Sequence, residues 1–390
     1  MGYTPRTFPA GNPMPWNESD RMSLRREFLS LAAVPDCNLS LLCQRFGISR
    51  KTAYKWLDRG VDHLADRSRR PHRSPGRTDD AVEAAVLAVR DAHPAWGPRK
   101  LGRVLRNRGH TKVPAPSTIG AILRRHGRID EAATAAATPY RRFEHDQPNA
   151  LWQMDFKGHV GMLGGRCHPL TVVDDHSRYN LVLHACRGET LGDVQPALTA
   201  CFRRYGLPAR ISCDNGPPWG TMQREDRLTR LGAWLLRLGV GLSHARPCHP
   251  QTNGKDERFH RTLDRELLQS TVLRDLESAQ RSFDAYRLVY NHERPHDALG
   301  LEVPASRYRP SLREFPERLE PIEYAPGLAV RKVDACGFIA FQGQSYRISK
   351  ALSREKVAIR PKDDEDGIFE VIYVRHRVRT LALTDPANLE

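Results

Sequence analysis

The chain has 390 residues, enough for several domains with sizeable hydrophobic cores. Its 61 lysines and arginines exceed its 46 acids, for a formal net charge of +15, so the expected partner is a polyanion: nucleic acid or an anionic membrane surface. No stretch approaches the roughly 18 apolar residues of a membrane span, and no apolar signal region opens the sequence, so nucleic acid is favoured and no membrane partner is expected. Eight scattered cysteines are typical of free thiols in a reducing cytoplasm.

The N-terminal part predicts a flexible arm at residues 1–20 and a helix-turn-helix DNA-binding domain at residues 21–63. Apolar residues recur at helical spacing, and Asn38 and Ser49 are placed to cap two short helices joined by a tight turn. An ordinary helical hairpin with a solvated basic face is the alternative. In the helix-turn-helix interpretation, the second helix exposes side chains that can reach phosphates and base edges in a major groove: Arg50, Lys51, Tyr54, Lys55 and Arg59.

A basic linker is predicted at residues 64–78, either a solvated tether or an arm that lies in a minor groove. A second helix-turn-helix-like domain follows at residues 79–130. Pro98 is suited to the first position of one of its helices, and Ser117 can cap the next. The run of alanine and threonine within residues 131–144 predicts a further linker.

The central part reads as an α/β domain. Apolar residues alternate with polar ones from 151 to 157, which predicts a strand with Asp155 on its polar face. Asp214 directly follows a short apolar run, whereas Asp174 and Asp175 fall in a turn where a structural role is expected. Sites in open α/β sheets lie beyond the strand ends. Further strands are predicted at 168–174, 179–185 and 210–213, with helices at 190–206 and 228–238.

A later helix begins near Glu257. Phe259, Leu263 and Leu267 recur every four residues, so they form the stripe that faces a core. Glu257 lies roughly 200° around the helix from Phe259, so it points away from that core. An isolated glutamate there is an acid near the positive end of a helix dipole, without further consequence.

Three acids of the central domain change that interpretation when they are taken together. Asp155, Asp214 and Glu257 supply hard oxygen ligands suited to Mg²⁺. Two such ions, roughly 3.5–4 Å apart, can assist both the attacking and the leaving oxygen of an in-line displacement at phosphorus. Asp214 alone is equally well explained by an Asx turn before Asn215 and Gly216. The presence of all three acids in one α/β domain of a strongly basic chain favours a metal site.

The segments around these acids resemble the three acidic motifs of the retroviral-integrase superfamily, and most of all those of the integrase-like transposases of bacterial insertion sequences. The resemblance rests on Trp152-Gln-Met-Asp155, Cys213-Asp-Asn-Gly216, His249-Pro-Gln-Thr-Asn-Gly-Lys-Asp-Glu257 and Tyr290-Asn-His-Glu-Arg-Pro-His-Asp-Ala-Leu299. It implies an RNase H-like fold in which Asp155, Asp214 and Glu257 form the metal-binding catalytic triad, with two Mg²⁺ ions and Mn²⁺ as a possible substitute. The His-His-Cys-Cys zinc module of retroviral integrases is not evident in this sequence.

The predicted architecture is therefore multidomain. All-α helix-turn-helix modules precede an RNase H-like α/β core at residues 145–305. A proline-punctuated linker at 306–328 leads to a small all-β, SH3-like barrel at 329–386, which short apolar runs separated by glycine, aspartate and lysine turns indicate.

The resemblance implies a DNA transposase that binds the terminal inverted repeats of its element and target DNA, and acts in the bacterial cytoplasm with the nucleoid. Joining two ends implies a homodimer or tetramer on DNA. Lys255, Arg258 and Arg261 are, by position, candidates for contacts with DNA phosphates. Two alternatives stay open: an RNase H-like nuclease that only hydrolyses, and a catalytically silent DNA-binding regulator derived from a transposase.

Overall fold

The computed structural model describes residues 21–66, 77–129, 144–220, 228–244, 254–363 and 365–383. The predicted arm, most of both predicted linkers at 64–78 and 131–144, and residues 245–253 of the third acidic motif lie outside this part. The chain divides into two compact units, Met1–Arg77 and Thr78–Glu390. The second helical module thus belongs to one unit with the central and C-terminal domains.

The first unit contains three helices, α1 (Arg21–Ala32), α2 (Leu39–Arg45) and α3 (Arg50–Arg59). Both predicted caps are present: the Asn38 side chain accepts hydrogen bonds from the backbone at the start of α2, and the Ser49 hydroxyl accepts one from Thr52 N at 3.2 Å. Buried apolar residues of all three helices, including Phe28 and Trp56, form one core. The helix-turn-helix prediction is confirmed at the level of local structure.

The second helical module comprises α4 (Asp80–Ala92), α5 (Pro98–Asn107) and α6 (Pro116–Arg125). Pro98 occupies the first turn of α5, as predicted. The predicted cap at Ser117 is wrong, because α6 begins at Pro116 and its N-cap is Ala115, two residues before Ser117. Proline at position 116 has the backbone angle that the first helical residue requires and no N–H to satisfy, so it sets the helix start in place of a side-chain cap.

The central domain is built on a mixed sheet in the order β2-β3-β1-β5-β6, with β4 paired to β3. The strands β1, β3 and β4 pair antiparallel, whereas β1, β5 and β6 run parallel. The short strands β2 and β6 were not anticipated from the sequence. The strand bounds are β1 Trp152–Phe156, β2 Val160–Met162, β3 Gly165–Asp174, β4 Asn180–Cys186, β5 Arg210–Cys213 and β6 Gly241–His244.

Helices cover both faces of this sheet. One hydrophobic core lies between the sheet and α7 (Leu191–Tyr205) and α8 (Arg230–Arg237). A second core lies against α9 (Gly254–Leu263) and α10 (Leu276–His292), with Phe259 and Leu263 fully buried in it. The helix α9 continues as a π-helical segment, Asp264–Leu268. The predicted core stripe of α9 is thus in place, and it turns Glu257 away from the core.

The C-terminal domain is all-β, as predicted. Its sheet has the order β12-β11-β10-β7, and β8 and β9 form a separate hairpin. The segment predicted as a linker, 306–328, contains no helix or strand beyond Ser306, which ends a 3-10 turn, but it is anchored to the central domain. The Arg313 guanidinium donates to the carbonyls of Pro208 and Gly239 at 2.7 and 2.8 Å. The strand bounds are β7 Ala329–Lys332, β8 Phe338–Phe341, β9 Gln344–Arg347, β10 Lys356–Pro361, β11 Ile368–Tyr373 and β12 His376–Ala382. In the part of the chain that the structure describes, no helix has the length and apolarity to cross a bilayer.

Candidate active site

Asp155 and Asp214 occupy matching positions on two neighbouring parallel strands. The pairing of β1 with β5 places Trp152 opposite Ile211 and Gln153 opposite Ser212, and the same register extended by two residues sets Asp155 beside Asp214. Adjacent strands lie about 4.8 Å apart, and residues in parallel register point to the same face. The sheet therefore brings these two carboxylates together at its carboxyl edge.

The turn after β5 fixes the backbone of Asp214. Its Oδ1 accepts a hydrogen bond from Gly216 N at 3.0 Å, which is the Asx turn that the sequence left open as an alternative. The His244 Nδ1, at the end of β6, lies 2.9 Å from the Asp214 carbonyl oxygen. A Cβ at Gly220 would lie 2.6 Å from the Asn215 carbonyl oxygen, so the turn closes only around a glycine there. The Asx turn holds an exposed Asp214 in place and leaves its Oδ2 without a hydrogen bond from the described residues.

A hydrogen-bonded chain ties α9 to the strand that carries Asp155. The Thr171 hydroxyl on β3 donates to the Asp155 carbonyl at 3.0 Å, and the His260 Nε2 lies 2.9 Å from the same hydroxyl. Burial and the neighbouring Lys157 lower the pKa of His260 to about 4, so the ring is neutral at physiological pH. Since the hydroxyl proton is committed to the carbonyl, His260 donates from Nε2. This contact fixes the rotation of the helix that carries Glu257.

The charges of the three acids act on one another. The pKa of Asp155 is raised to about 7, first by burial and then by the negative charge of Asp214, with smaller contributions from Glu189 and Glu257. Such a shift is typical of acids that share a site and are kept ionised by a cation. Among the described residues, however, no three His, Cys, Asp or Glu side chains already form a ready-made metal-ligand group. Glu257 is exposed, and its charge acts on Asp155.

Two acids near this site were missed in the sequence. Asp256 is fully buried, and neither carboxylate oxygen has a hydrogen-bond partner within the described part of the chain. Burial first, and then the charge of Asp155, raises the pKa of Asp256 well above its usual range. Its spacing of three from Phe259 and seven from Leu263 would have revealed that it belongs to the buried stripe of α9. Glu189 was missed because only the fold brings the end of β4 close to Asp155.

The three predicted phosphate contacts of the third motif have different surroundings. Lys255 is largely buried and forms an ion pair and a hydrogen bond with Asp175. Asp174 accepts hydrogen bonds from Asn149 N and from the Ser177 backbone and hydroxyl, so both aspartates of that turn serve structure, as expected. Arg258 and Arg261 are exposed. They have no ion pair with any residue that the structure describes.

The side chains predicted to reach DNA from the first unit lie on α3. Arg50, Lys51, Tyr54 and Lys55 are exposed, and Arg59 is half-buried. The Tyr54 ring is 61% exposed although Ala53 beside it is fully buried, so this face of α3 carries an aromatic ring that the core of the unit does not use.

Comparison with known families assigns the main parts of the chain. Residues 145–250 and 238–304 match the family "Integrase core domain" in two overlapping segments, and residues 328–387 match "IS481 family transposase, C-terminal domain". The chain therefore carries an integrase core domain and a C-terminal domain of the kind found in IS481-family transposases. Residues 25–72 match "Helix-turn-helix domain" and residues 50–123 match "Homeodomain-like domain", so modules of a DNA-binding class are present at the N-terminal end.

Individual proteins that are similar to this chain include products of bacterial insertion elements. The chain is 30% identical over 158 residues to the "Insertion element IS407 uncharacterized 31.7 kDa protein" of Burkholderia multivorans, which covers 40% of this chain and 54% of the relative. It is 25% identical over 260 residues to the "Insertion element IS476 uncharacterized 39.2 kDa protein" of Xanthomonas euvesicatoria, covering 65% and 71%. The match thus spans about half the length of the first relative and about seven-tenths of the second.

Solved structures of viral integrases are also similar to this chain. The HTLV-2 integrase catalytic core domain in complex with magnesium is 18% identical, with a TM-score of 0.32, and the match covers 42% of this chain and 97% of that one. The family matches and the observed elements confirm the predicted resemblance and fold class: helix-turn-helix modules, an integrase core and an all-β C-terminal region.

Proposed function

We propose that this protein cuts a phosphodiester at the ends of its insertion element and joins the freed end to target DNA. The observation that carries the proposal is the Asp155–Asp214 pair, set side by side by the parallel register of β1 and β5, with the charge of Glu257 acting on Asp155. The integrase-core family in general supports polynucleotidyl transfer, and the matched C-terminal domain is that of IS481-family transposases. The two sources of support are independent.

The reaction consists of two transfers at phosphorus. A water oxygen attacks the phosphodiester at the element end, and the bond to the element's 3′ oxygen breaks, which leaves a 3′-hydroxyl. That hydroxyl then attacks a target phosphodiester: a new diester forms, the target's own bond breaks, and its strand leaves with a 3′-hydroxyl. One bond forms and one breaks in each transfer, so no external energy source is needed.

The residues of the site fit divalent cations by the chemistry of their donors. Carboxylate oxygens are the ligands that Mg²⁺ prefers, and the repulsion that raises the pKa of Asp155 is what a bound cation relieves. When held by Asp155, Asp214 and Glu257, such ions supply Lewis-acid stabilisation of charge at the attacked phosphate and lower the pKa of the attacking oxygen. His244 positions Asp214 through its carbonyl, and His260 positions the helix of Glu257.

Binding to the element ends falls, in this proposal, to the helix-turn-helix modules. The exposed cations and Tyr54 of α3 are placed to contact phosphates and base edges. Joining both ends of one element to one target requires two sites, so we propose at least a dimer of this chain on DNA.

A strand-transfer assay on duplexes with pre-cut ends tests the proposal. Wild-type protein with Mg²⁺ is expected to form joined products. Asp155→Asn, Asp214→Asn and Glu257→Gln are expected to fold and bind the duplex but to lose both cutting and joining. Glu277→Gln, which removes an exposed acid from the first turn of α10, is the matched control and should retain both activities.

The outcomes separate the alternatives. Hydrolysis without joined products would show a nuclease of the same fold. Duplex binding with neither cutting nor joining by wild-type protein, under all metal conditions, would indicate a silent regulator. Cutting that survives Glu257→Gln would show that the triad is assigned wrongly.

A further inference from the structure

A cationic pocket lies where the second helical module meets the central domain. Lys100 of α5, Arg258 and Thr262 of α9, and the segment that follows α10 enclose it. Its cavity volume is about 60 Å³, well below the range of small-molecule sites, so it suits a small group rather than a whole ligand of that kind. The charged residues of its lining are Lys100, Arg178, Lys255, Arg258, Arg294 and Asp297.

Most of these charges are already neutralised by a neighbour. Arg178 pairs with Glu144 at 2.9 Å, Arg294 pairs with Glu266 at 2.8 Å, and Lys255 pairs with Asp175. Asp297, the acid of the lining, lies 3.3 Å from Arg99 outside the pocket.

Two cations remain: the side chains of Lys100 and Arg258 make no ion pair and no hydrogen bond with any residue in the described ranges. The pocket therefore carries an uncompensated charge of about +2 at neutral pH.

Lys100 is an unusual residue to leave without a partner. Burial, and then the positive charge of Arg294, lowers the pKa of Lys100 to about 8, while the charges of Glu266 and Asp297, which are paired with Arg294 and Arg99, act in the opposite direction. Lysines are seldom so desolvated unless an anion faces them, because moving an ammonium out of water costs free energy that an opposite charge offsets. The Thr262 hydroxyl and the His296 ring also line the pocket, but the hydroxyl donates to the Arg258 carbonyl at 2.8 Å and the ring bonds the Tyr290 backbone. The pocket therefore offers a ligand its two unpaired cationic side chains, which suit a phosphate.

The pocket is separate from the acidic site. Successive helix residues are 100° apart, so the pocket-lining residues of α9, which are Lys255, Arg258, Phe259 and Thr262, share one face whose centre lies roughly 150° from Glu257. A helix with its side chains is about 10–12 Å across, so a phosphate bound in the pocket is not the phosphate that the acids act on.

We propose that this pocket binds one backbone phosphate of the DNA, held by Lys100 and Arg258, and so fixes the second helical module and the central domain on the same duplex. The identity of the ligand rests on the proposed function, whereas the phosphate chemistry rests on the pocket itself. A free phosphate or nucleotide offers the same chemistry, and the experiment separates these sources.

The test measures DNA binding by full-length Asp155→Asn protein, so that cutting plays no part. The probe is a duplex ending in the inverted repeat that flanks the gene, with single phosphates replaced one at a time by uncharged methylphosphonates. One position is expected to weaken binding of the parent protein about tenfold, in keeping with the loss of a charge-assisted contact. In Lys100→Gln, binding should be about tenfold weaker overall, the dependence of log K on log salt should fall by about one unit, and that one position should lose its effect.

Matched variants make the result specific. Arg258→Gln should behave as Lys100→Gln does, and Lys100→Arg should restore sensitivity at the same phosphate. Lys112→Gln, which removes an exposed lysine of the same helical module, should leave that position sensitive. Thermal melting checks folding, and Lys100→Gln should melt no lower than its parent because it relieves an unpaired buried charge.

Two results would overturn the proposal. In one, every methylphosphonate position keeps its effect in Lys100→Gln. In the other, inorganic phosphate alone raises the melting temperature of the parent but not of Lys100→Gln, and no methylphosphonate has an effect that depends on Lys100, which would assign the pocket to a free phosphate. A failure of the proposed function can be told apart from a failure of this proposal. In that case wild-type protein would neither cut nor join DNA, but its binding would still depend on one phosphate through Lys100.

Discussion

Removing the charge of Asp155 should stabilise the metal-free protein, and the gain should depend on pH. The pKa of Asp155 is raised from 3.8 to about 7 by burial and by Asp214. The folded state therefore keeps a proton that the unfolded state has lost, so the contribution of this group is most favourable at low pH and is lost as the pH rises from about 4 through 7. In Asp155→Asn the side chain at this position is uncharged at every pH, so the variant does not lose this stability as the pH rises.

The magnitude follows from the shift. About three pKa units correspond to about 4 kcal/mol, and the partial solvent exposure of the side chain reduces this, so we expect a gain of roughly 2–4 kcal/mol at pH 8. At pH 4 the variant and the wild-type protein should be equally stable. The measurement is chemical denaturation in the presence of a chelator, followed by tryptophan fluorescence, at a series of pH values.

Addition of Mg²⁺ should close most of this difference in stability. Ligand at about 100 times its dissociation constant stabilises the state that binds it by about 2.7 kcal/mol. Wild-type protein should show this gain, and Asp155→Asn should show little of it. Glu277→Gln should follow wild-type protein throughout. A difference between Asp155→Asn and wild-type protein that does not vary between pH 4 and pH 8 would refute the assignment of a repelled, buried carboxylate.

Three further changes have defined outcomes. Arg294→Met should cost about 3–5 kcal/mol in denaturation experiments, because it leaves Glu266 buried without its partner, and the double change with Glu266→Leu should recover most of that loss. His260→Leu should cost about 1 kcal/mol and weaken the Mg²⁺-induced thermal shift, since the helix of the third acid loses its hydrogen bond to β3; an unchanged shift would argue against a positioning role. Gly220→Ala should abolish the Mg²⁺ shift without loss of helical circular dichroism, because its Cβ would meet the Asn215 carbonyl; a normal shift would mean that the turn is not required for the site.

Much of the central domain was predictable because its signals are local. Alternation around Asp155 identified β1, and in the first unit the capping side chains of Asn38 and Ser49 marked helix starts that the structure reproduces. Strand β6 was not predicted because Gly241–His244 has only four residues, too few to show the alternation of apolar and polar side chains that identifies a strand. The prediction of a cap at Ser117 was wrong because Pro116, the residue before it, sets the start of the helix without a side-chain cap.

The contacts that define the site could not be predicted from local sequence patterns, because they join residues that are far apart in the sequence. Lys255 was predicted as a surface phosphate contact, but its partner Asp175 comes from another strand end, and sequence position alone cannot pair them. Asp256 was overlooked because charged residues are seldom fully buried. The pocket cations Lys100 and Arg258 belong to different domains, so only the packing of α5 against the central domain shows that they share a cavity.

The helix α9 links the two sites through its rotation. Glu257 and Arg258 are adjacent in sequence, yet the 100° step of a helix sends one toward the acids and the other into the pocket. The buried ring of Phe259 and the His260–Thr171 hydrogen bond set that rotation from the core side. A one-residue slip of the helix would displace both functional faces together, so the packing of Phe259 constrains catalysis and phosphate binding at once.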